Sequence, residues 1–148
     1  MALSNLAGYE RLSLHNLRLQ KAYRAGTGDR LEAAWTDLGD SADTHHYAVL
    51  DLKSSSGSSR DLLLDVLFRE NVFARRYFWP GCHRSAPYSD APHPPLHVTE
   101  RLAGSLLQVP TGVQLSEPDA KAIGECLAFC LAHARQIEEK IREATESR

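Results

Sequence analysis

The chain has 148 residues, a formal net charge of −2, 43% hydrophobic and 24% charged residues, which suits a globular protein long enough to bury a real core. Without a basic excess it is no general nucleic-acid binder, and no run reaches the roughly 18 to 20 apolar residues that a membrane span needs. The opening MALSNLAGYERL lacks a basic start followed by a long apolar run, so no secretory leader is expected; three cysteines, two of them in a predicted helix, point to reduced thiols in the cytoplasm.

In chain order, residues 3 to 25 predict a helix with Leu12, Asn16, Leu19 and Tyr23 on one stripe, widened by Leu14 and Leu17. The glycines of AGTGD end it. RLEAAWTDL (30 to 38) reads as a strand, and HHYAVLDL (45 to 52) as a clearer one, because its β-branched and aromatic residues are bounded by turn formers. KSSSGSSRD is a surface turn in which Ser59 and Asp61 offer an acceptor and a negative charge to the start of a helix over 60 to 70, with Leu63, Val66 and Leu67 inward. VFARRYFW (72 to 79) predicts a strand with Phe73, Arg75, Tyr77 and Trp79 on one face and Val72, Ala74, Arg76 and Phe78 on the other. Residues 79 to 97 hold five of the seven prolines and must be a loop. A short helix after Thr99 leads into SLLQVP, a short strand. Ser116, with Pro118 and Asp119, starts a last helix whose stripe runs through Ala120, Ile123, Leu127, Cys130, Ala134, Ile137 and Ile141 over about six turns, with Glu138 and Arg142 as an exposed i,i+4 pair. The sum is one α/β (α+β) layer domain over 1–148. Its first helix carries an apolar face that asks for a partner surface.

The chemistry concentrates in NVFARRYFWPGCHRSAPYS, residues 71 to 89, with three arginines, five aromatics and a Cys-His pair. On either face of the strand one arginine shares space with apolar side chains. An arginine beside rings stacks on a ring and forks onto a carboxylate or phosphate; the plain alternative is an edge strand whose arginines reach to solvent. His83 is a proton carrier, a hydrogen-bond donor or a loop residue. His93 and His97 flank two prolines and share no helical face, and there is no C-x-x-C pair, so no metal is expected. Cys126 and Cys130 are read as packing. No G-x-S-x-G elbow and no phosphate loop is present.

The same stretch resembles the C-terminal segment of the DegT/DnrJ/StrS-type sugar aminotransferases, which carry an E-N-[IV]-x-x-R-like strand and then an aromatic, a proline, a histidine and a tyrosine. Glu70, Asn71, Val72, Arg75 or Arg76, Tyr77, Pro80, His83 and Tyr88 hold those places. TERLAGSLLQVPTGVQLSEPDAKAI is similar to the family's helix, L-x-L-P and L-[ST]-x-x-[DE] ending, through Pro110, Leu115, Ser116 and Asp119, and the opening helix looks like the one that links the family's large domain to its small one. The resemblance implies a small aminotransferase C-terminal-type domain, with a short, mostly antiparallel sheet packed by long N- and C-terminal helices. It also implies that the strand and loop cover an active-site mouth: Arg75 or Arg76 would meet a phosphate or sugar hydroxyl of a nucleotide-sugar, His83 would donate to it, and Tyr77 and Tyr88 would wall the pocket. The family's pyridoxal phosphate binds to a large domain that supplies the Schiff-base lysine. Lys21, Lys53, Lys121 and Lys140 lie outside any matching motif, so this chain alone is expected neither to hold the cofactor nor to transaminate. The implied partner is a second copy of the chain or a lysine-bearing large domain, with no nucleic acid and no membrane. The alternative is a stand-alone, non-enzymatic binding or oligomerisation module derived from that domain. The proline-rich GCHRSAPYSDAPHPP departs from the family pattern, and loop identity sets the choice of sugar.

Overall fold

A computed structural model describes residues 2–31, 34–36, 45–52 and 60–146. The elements run α1 (Ala2–Thr27), β1 (Ala48–Asp51), α2 (Arg60–Arg69), β2 (Arg75–Arg76), α3 (His97–Ser105), β3 (Leu106–Val109), α4 (Glu117–Ala132) and α5 (Ala134–Glu146). The strands form one antiparallel sheet in the order β1-β3-β2, and the helices pack against it. The expected α/β class and the short antiparallel sheet between long helices are both present.

The long helices meet as the apolar stripes predict. Leu19 and Tyr23 of α1, and Ala120, Ile123, Leu127 and Cys130 of α4, enter one core with Leu50, Leu63, Leu67, Leu107 and Val109. Two glycines set how closely α1 and α4 approach. A Cβ on Gly124 would lie 2.5 Å from the Tyr23 carbonyl oxygen, and one on Gly26 would overlap the Lys121 carbonyl. Helix backbones in contact tolerate no side chain at such a crossing.

The polar side chains of α1 serve as anchors for the sheet ends. Gln20 Nε2 donates to the Tyr47 carbonyl at 3.2 Å, just ahead of β1, and the Tyr23 hydroxyl donates to the Pro110 carbonyl at 2.9 Å, just after β3. Burial raises the Tyr23 pKa, so the phenol stays a donor. Carbonyls that leave a sheet edge need partners, and α1 supplies them.

Ser116 caps α4 as expected: its hydroxyl accepts from the Asp119 backbone N–H while the Asp119 carboxylate accepts from the Ser116 N–H, with Pro118 in the first turn. The Ser116 hydroxyl also donates to the Asp119 carboxylate, and that bond, followed by the one from the Ser116 N–H, holds the Asp119 carboxyl below its ordinary range. The expected Ser59 cap of α2 lies outside the described residues.

Several expectations are corrected. Of the strand expected over 30 to 38, the described part is a 3₁₀ turn at Gly28–Arg30 and a single bridge of Trp35 to Leu50. The indole is pinned instead by its N–H to Thr27 Oγ1 at 3.0 Å. The strand expected over 72 to 79 shrinks to Arg75–Arg76. The Ala74 N–H turns back onto the Val72 carbonyl ahead of it, and Phe78 adopts φ 54° after it, so period-2 alternation stops before Trp79. The last helix divides at His133, whose φ −116° and ψ 18° end α4. Ile137 and Ile141 are consequently half-buried on α5 rather than core. Arg142 pairs with Glu146 at 3.9 Å rather than with Glu138. α3 begins at His97, three residues before the expected start after Thr99, and in α2 Leu62 is buried where Val66 is half-buried.

Candidate functional site

Strand register separates the two neighbouring arginines. Arg75 stands opposite Gln108, and Arg76 opposite Leu107. Directly opposed residues of an antiparallel pair share a face. Leu107 is fully buried in the core, so Arg76 projects to that side and Arg75, itself exposed, to the opposite face, which is covered at Val49 but open at Arg75. There Gln108 also stands opposite Val49, making one row of Arg75, Gln108 and Val49 across the sheet.

Arg76 is engaged on its side. Its Nε donates to Asp61 Oδ1 at 2.9 Å, in the first turn of α2. The same carboxylate oxygen accepts from Arg60 Nε at 3.0 Å. Burial would raise the Asp61 pKa, but hydrogen bonds and charge from Arg76 and Arg60 outweigh it and hold the carboxyl below its ordinary range. The Arg60 side chain is 4% exposed. It also donates to the Ala103 carbonyl of α3 and lies 5.0 Å from the Trp79 ring centre. A buried guanidinium needs both partners for its protons and a surface to lie on. One arginine therefore ties α2, α3 and the start of the loop together.

Arg75 has no hydrogen-bond or ion-pair partner among the described residues. On its face Tyr77 touches Tyr47 with ring centres 5.7 Å apart and Phe78 at 4.3 Å. Tyr47, at 47% exposure, and Phe78, at 68%, leave much of this array open to solvent. A free guanidinium beside exposed rings can meet an anion attached to a flat or apolar group.

The loop after Trp79 is ordered by turns. Cys82–Arg84 form one 3₁₀ turn, and the Tyr88 N–H closes another onto the Ser85 carbonyl at 2.8 Å. His83 folds beneath the loop with a side chain 7% exposed, and its Nε2 sits 3.7 Å from Glu100 Oε1. Arg84 Nη2 donates to that same oxygen at 2.8 Å. The Arg84 hydrogen bond is the main reason the Glu100 carboxyl is held below its ordinary range, with the positive charge of Arg84 adding to it. The His93 ring packs edge-on to His83 at 5.0 Å. Tyr88, 61% exposed, points its ring outward.

The five residues singled out from the sequence thus divide. Arg75 and Tyr77 share the open face, Arg76 is held on the helical side, His83 lies under the loop, and Tyr88 is at the surface. No hydrogen bond, ion pair or ring contact joins Arg75 or Tyr77 to His83 or Tyr88 among the described residues. Sequence reasoning missed Tyr47 and Gln108, which reach the face by pairing across strands distant in sequence. It also read Asp61 as a helix-start charge and did not connect it with Arg76. For Glu100 the signal was weak: a carboxylate in the first turn of a helix usually needs no partner beyond the free N–H groups.

Pyridoxal phosphate does not fit the described residues of this chain. It needs a lysine beside a phosphate cradle. Lys121 is exposed and paired with Glu125 at 3.4 Å, and Lys21 and Lys140 are exposed on α1 and α5. Lys121 does line a groove with His15, Ser116 and Pro118, but His15 Nε2 is occupied by the Gly112 and Leu115 carbonyls at 3.1 Å each. Among the described residues no three His, Cys, Asp or Glu side chains could hold a metal ion, and no helix is long and apolar enough to cross a membrane. Cys82, Cys126 and Cys130 are free thiols.

Comparison with known proteins places this geometry. The profile of the DegT/DnrJ/EryC1/StrS aminotransferase family matches residues 1–128. A crystal structure of DesI in the presence of its TDP-sugar product superposes with a TM-score of 0.83 at 33% identity, covering 96% of this chain and 37% of that one. A putative PLP-dependent aminotransferase from Bacillus cereus ATCC 10987 superposes at 0.70 with 15% identity, covering 88% and 34%, which shows the shared fold. The chain therefore spans about a third of the length of these solved structures. No curated protein sequence matches it. The chain belongs to the DegT/DnrJ/EryC1/StrS aminotransferase family.

Proposed function

We propose that this family member is the C-terminal, substrate-covering domain of a nucleotide-sugar aminotransferase, folded as one domain over 1–148. The observation that carries the reading is the DesI superposition, in which nearly the whole chain matches about a third of an aminotransferase crystallised with its TDP-sugar product. In this reading the cofactor and its lysine come from a large domain, on the same polypeptide or on a partner, and the chain works as a homodimer or against that lysine-bearing partner. Cytoplasmic location is supported by the three free thiols.

Each site residue has a task in this reading, and the exposed positions of Arg75 and Tyr88 support theirs; His83 Nε2 is buried under the loop and reaches a ligand only once the loop opens. Arg75, exposed and with no side-chain partner among the described residues, meets a phosphate or sugar hydroxyl of the ligand. Arg76 helps through its bond to Asp61, which holds β2 against α2. Tyr77 with Tyr47 offers a ring surface, His83 donates a hydrogen bond, and Tyr88 closes the outer wall. Pyridoxal phosphate, bound elsewhere in the assembly, supplies the electron sink for amino-group transfer.

Steady-state kinetics of the active assembly test this. Arg75→Ala is expected to raise the KM for the nucleotide-sugar by about tenfold or more, since a lost charge-assisted contact is worth roughly 1.5 to 3 kcal/mol, and Tyr88→Ala to raise it by less; both should leave the KM for the amino donor unchanged. Unchanged KM values for both substrates would remove the substrate-covering role.

A further inference from the structure

The loop over residues 80 to 96 is joined to the helix behind it at one acidic point. Arg84 to Glu100, at 2.8 Å, is the side-chain hydrogen bond between this loop and α3 among the described residues. Beside it His83 Nε2 is buried, has no hydrogen-bond partner and lies 3.7 Å from the same carboxylate oxygen. That gap is too long for a hydrogen bond and short enough for a small side-chain movement to close it. The Glu100 side chain is 36% exposed and free to make that movement.

The backbone is built to bring the imidazole there. Gly81 adopts φ +94°, and a Cβ on it would lie 2.9 Å from His83 Cε1. Only glycine lets the chain turn so tightly over the ring. The groups seen against the His83 ring are His93, edge-on from the far arm of the loop, and Glu100 from α3; Cys82 and Arg84 are its chain neighbours, and the charges of Arg84 and His97 act on the same Glu100 carboxylate.

We propose that Glu100 is the positioning residue that anchors the 80–96 loop, holding it through Arg84 wherever the carboxylate is ionised and through His83 when that imidazole is protonated. The inference rests on the reading of this loop as a substrate cover and gives that cover a control. A neutral imidazole at Nε2 leaves a buried polar atom unpartnered; the imidazolium presents an N–H and a positive charge to a carboxylate. Glu100 remains ionised across the range in which histidines change charge, because Arg84 keeps its pKa low. The sign follows. The loop is held more tightly when the imidazole is protonated and loosens when it is neutral.

Amide hydrogen exchange of the full chain without ligand, corrected for intrinsic rates, reads this directly. Protection of residues 82 to 91 is expected to be roughly tenfold higher at pH 5.5 than at pH 8.0, while α1 and α4 keep the same protection at both. Glu100→Gln is expected to lower loop protection at both pH values and to flatten the difference. His83→Gln is expected to abolish the pH difference while Arg84 keeps the loop in place. Wild-type protection that is equal at the two pH values would overturn the proposal. So would a pH difference that survives His83→Gln, since His93 or His97 would then be its source. No ligand enters this experiment, so its failure would leave the kinetic test of the substrate cover standing, and the reverse also holds.

Discussion

The α1–α4 crossing and the strand-loop region after Asn71 are built on opposite plans. At the crossing, two amphipathic helices meet over Gly26 and Gly124, and their polar groups are committed to nearby carbonyls through Gln20 and Tyr23. In the strand-loop region Phe73, Phe78, Trp79 and Tyr88 are each more than half exposed, and order comes from single ion pairs. Burial stabilises the first, and individual hydrogen bonds hold the second. A protein that must grip a ligand keeps its adaptable chemistry on segments carried by a rigid frame, and this division matches that plan.

Breaking the frame should have the largest effect. Leu107→Ala, at a fully buried position in the central strand, is expected to cost about 3 kcal/mol in denaturant unfolding. Gly124→Ala, at the helix crossing, is expected to cost up to about 3 kcal/mol by forcing the helices apart. An unchanged midpoint in either would mean the crossing is not the rigid half.

The link between the halves is Arg60. Replacing it by alanine removes the donor to the Ala103 carbonyl, leaves Asp61 with Arg76 alone and strips the Trp79 face. A loss of about 2 kcal/mol is expected, with a red-shifted Trp79 emission as that ring meets more water. Stability lost without a change in emission would show that Arg60 serves the frame and not the loop.

Smaller effects sharpen the contrast. Ser116→Ala, which removes one side of the α4 capping box, should cost about 1 kcal/mol. Asp61 has a depressed pKa in the folded state, so its contribution is present above the carboxylate's unfolded value and is lost as the pH falls through the folded one. Because its side chain is 53% exposed, Asp61→Asn should cost no more than about 1 kcal/mol, and less at high salt. Thiol labelling separates the halves as well. Burial, and then the neighbouring Cys126, push the Cys130 pKa up to about 12. Exposed Cys82 should react with a thiol reagent well before Cys130 in the native protein, and equal rates would show that α4 opens as readily as the loop.

The same division explains what was legible in the sequence. The 3.6-residue stripes through Leu19 and Tyr23 and through Ile123 and Leu127 fixed both long helices, because burial leaves a periodic trace. The capping box at Ser116 was equally plain. The residues after Asn71 resemble their family strongly, yet their local structure was misread. A two-residue strand bounded by an early turn and a positive φ at Phe78 leaves no periodic mark. Nor could the break at His133 be seen, since the apolar stripe continues through it. At the site, the sequence left Arg75 and Arg76 as equals; only pairing with β3 shows which face each takes. Tyr47 was invisible as a site residue because it arrives from the far edge of the sheet. Contacts between residues distant in sequence carry no local signal.

The most direct test is to isolate the native polypeptide that carries these residues from its source cells under non-denaturing conditions and assay it for bound pyridoxal phosphate and for amino-group transfer to a nucleotide-linked keto sugar. The account predicts that both accompany the chain, supplied by a lysine-bearing large domain joined to it or associated with it, and that Arg75→Ala weakens the sugar step alone. A chain that purifies by itself, binds no cofactor-bearing partner and supports no transfer would contradict it.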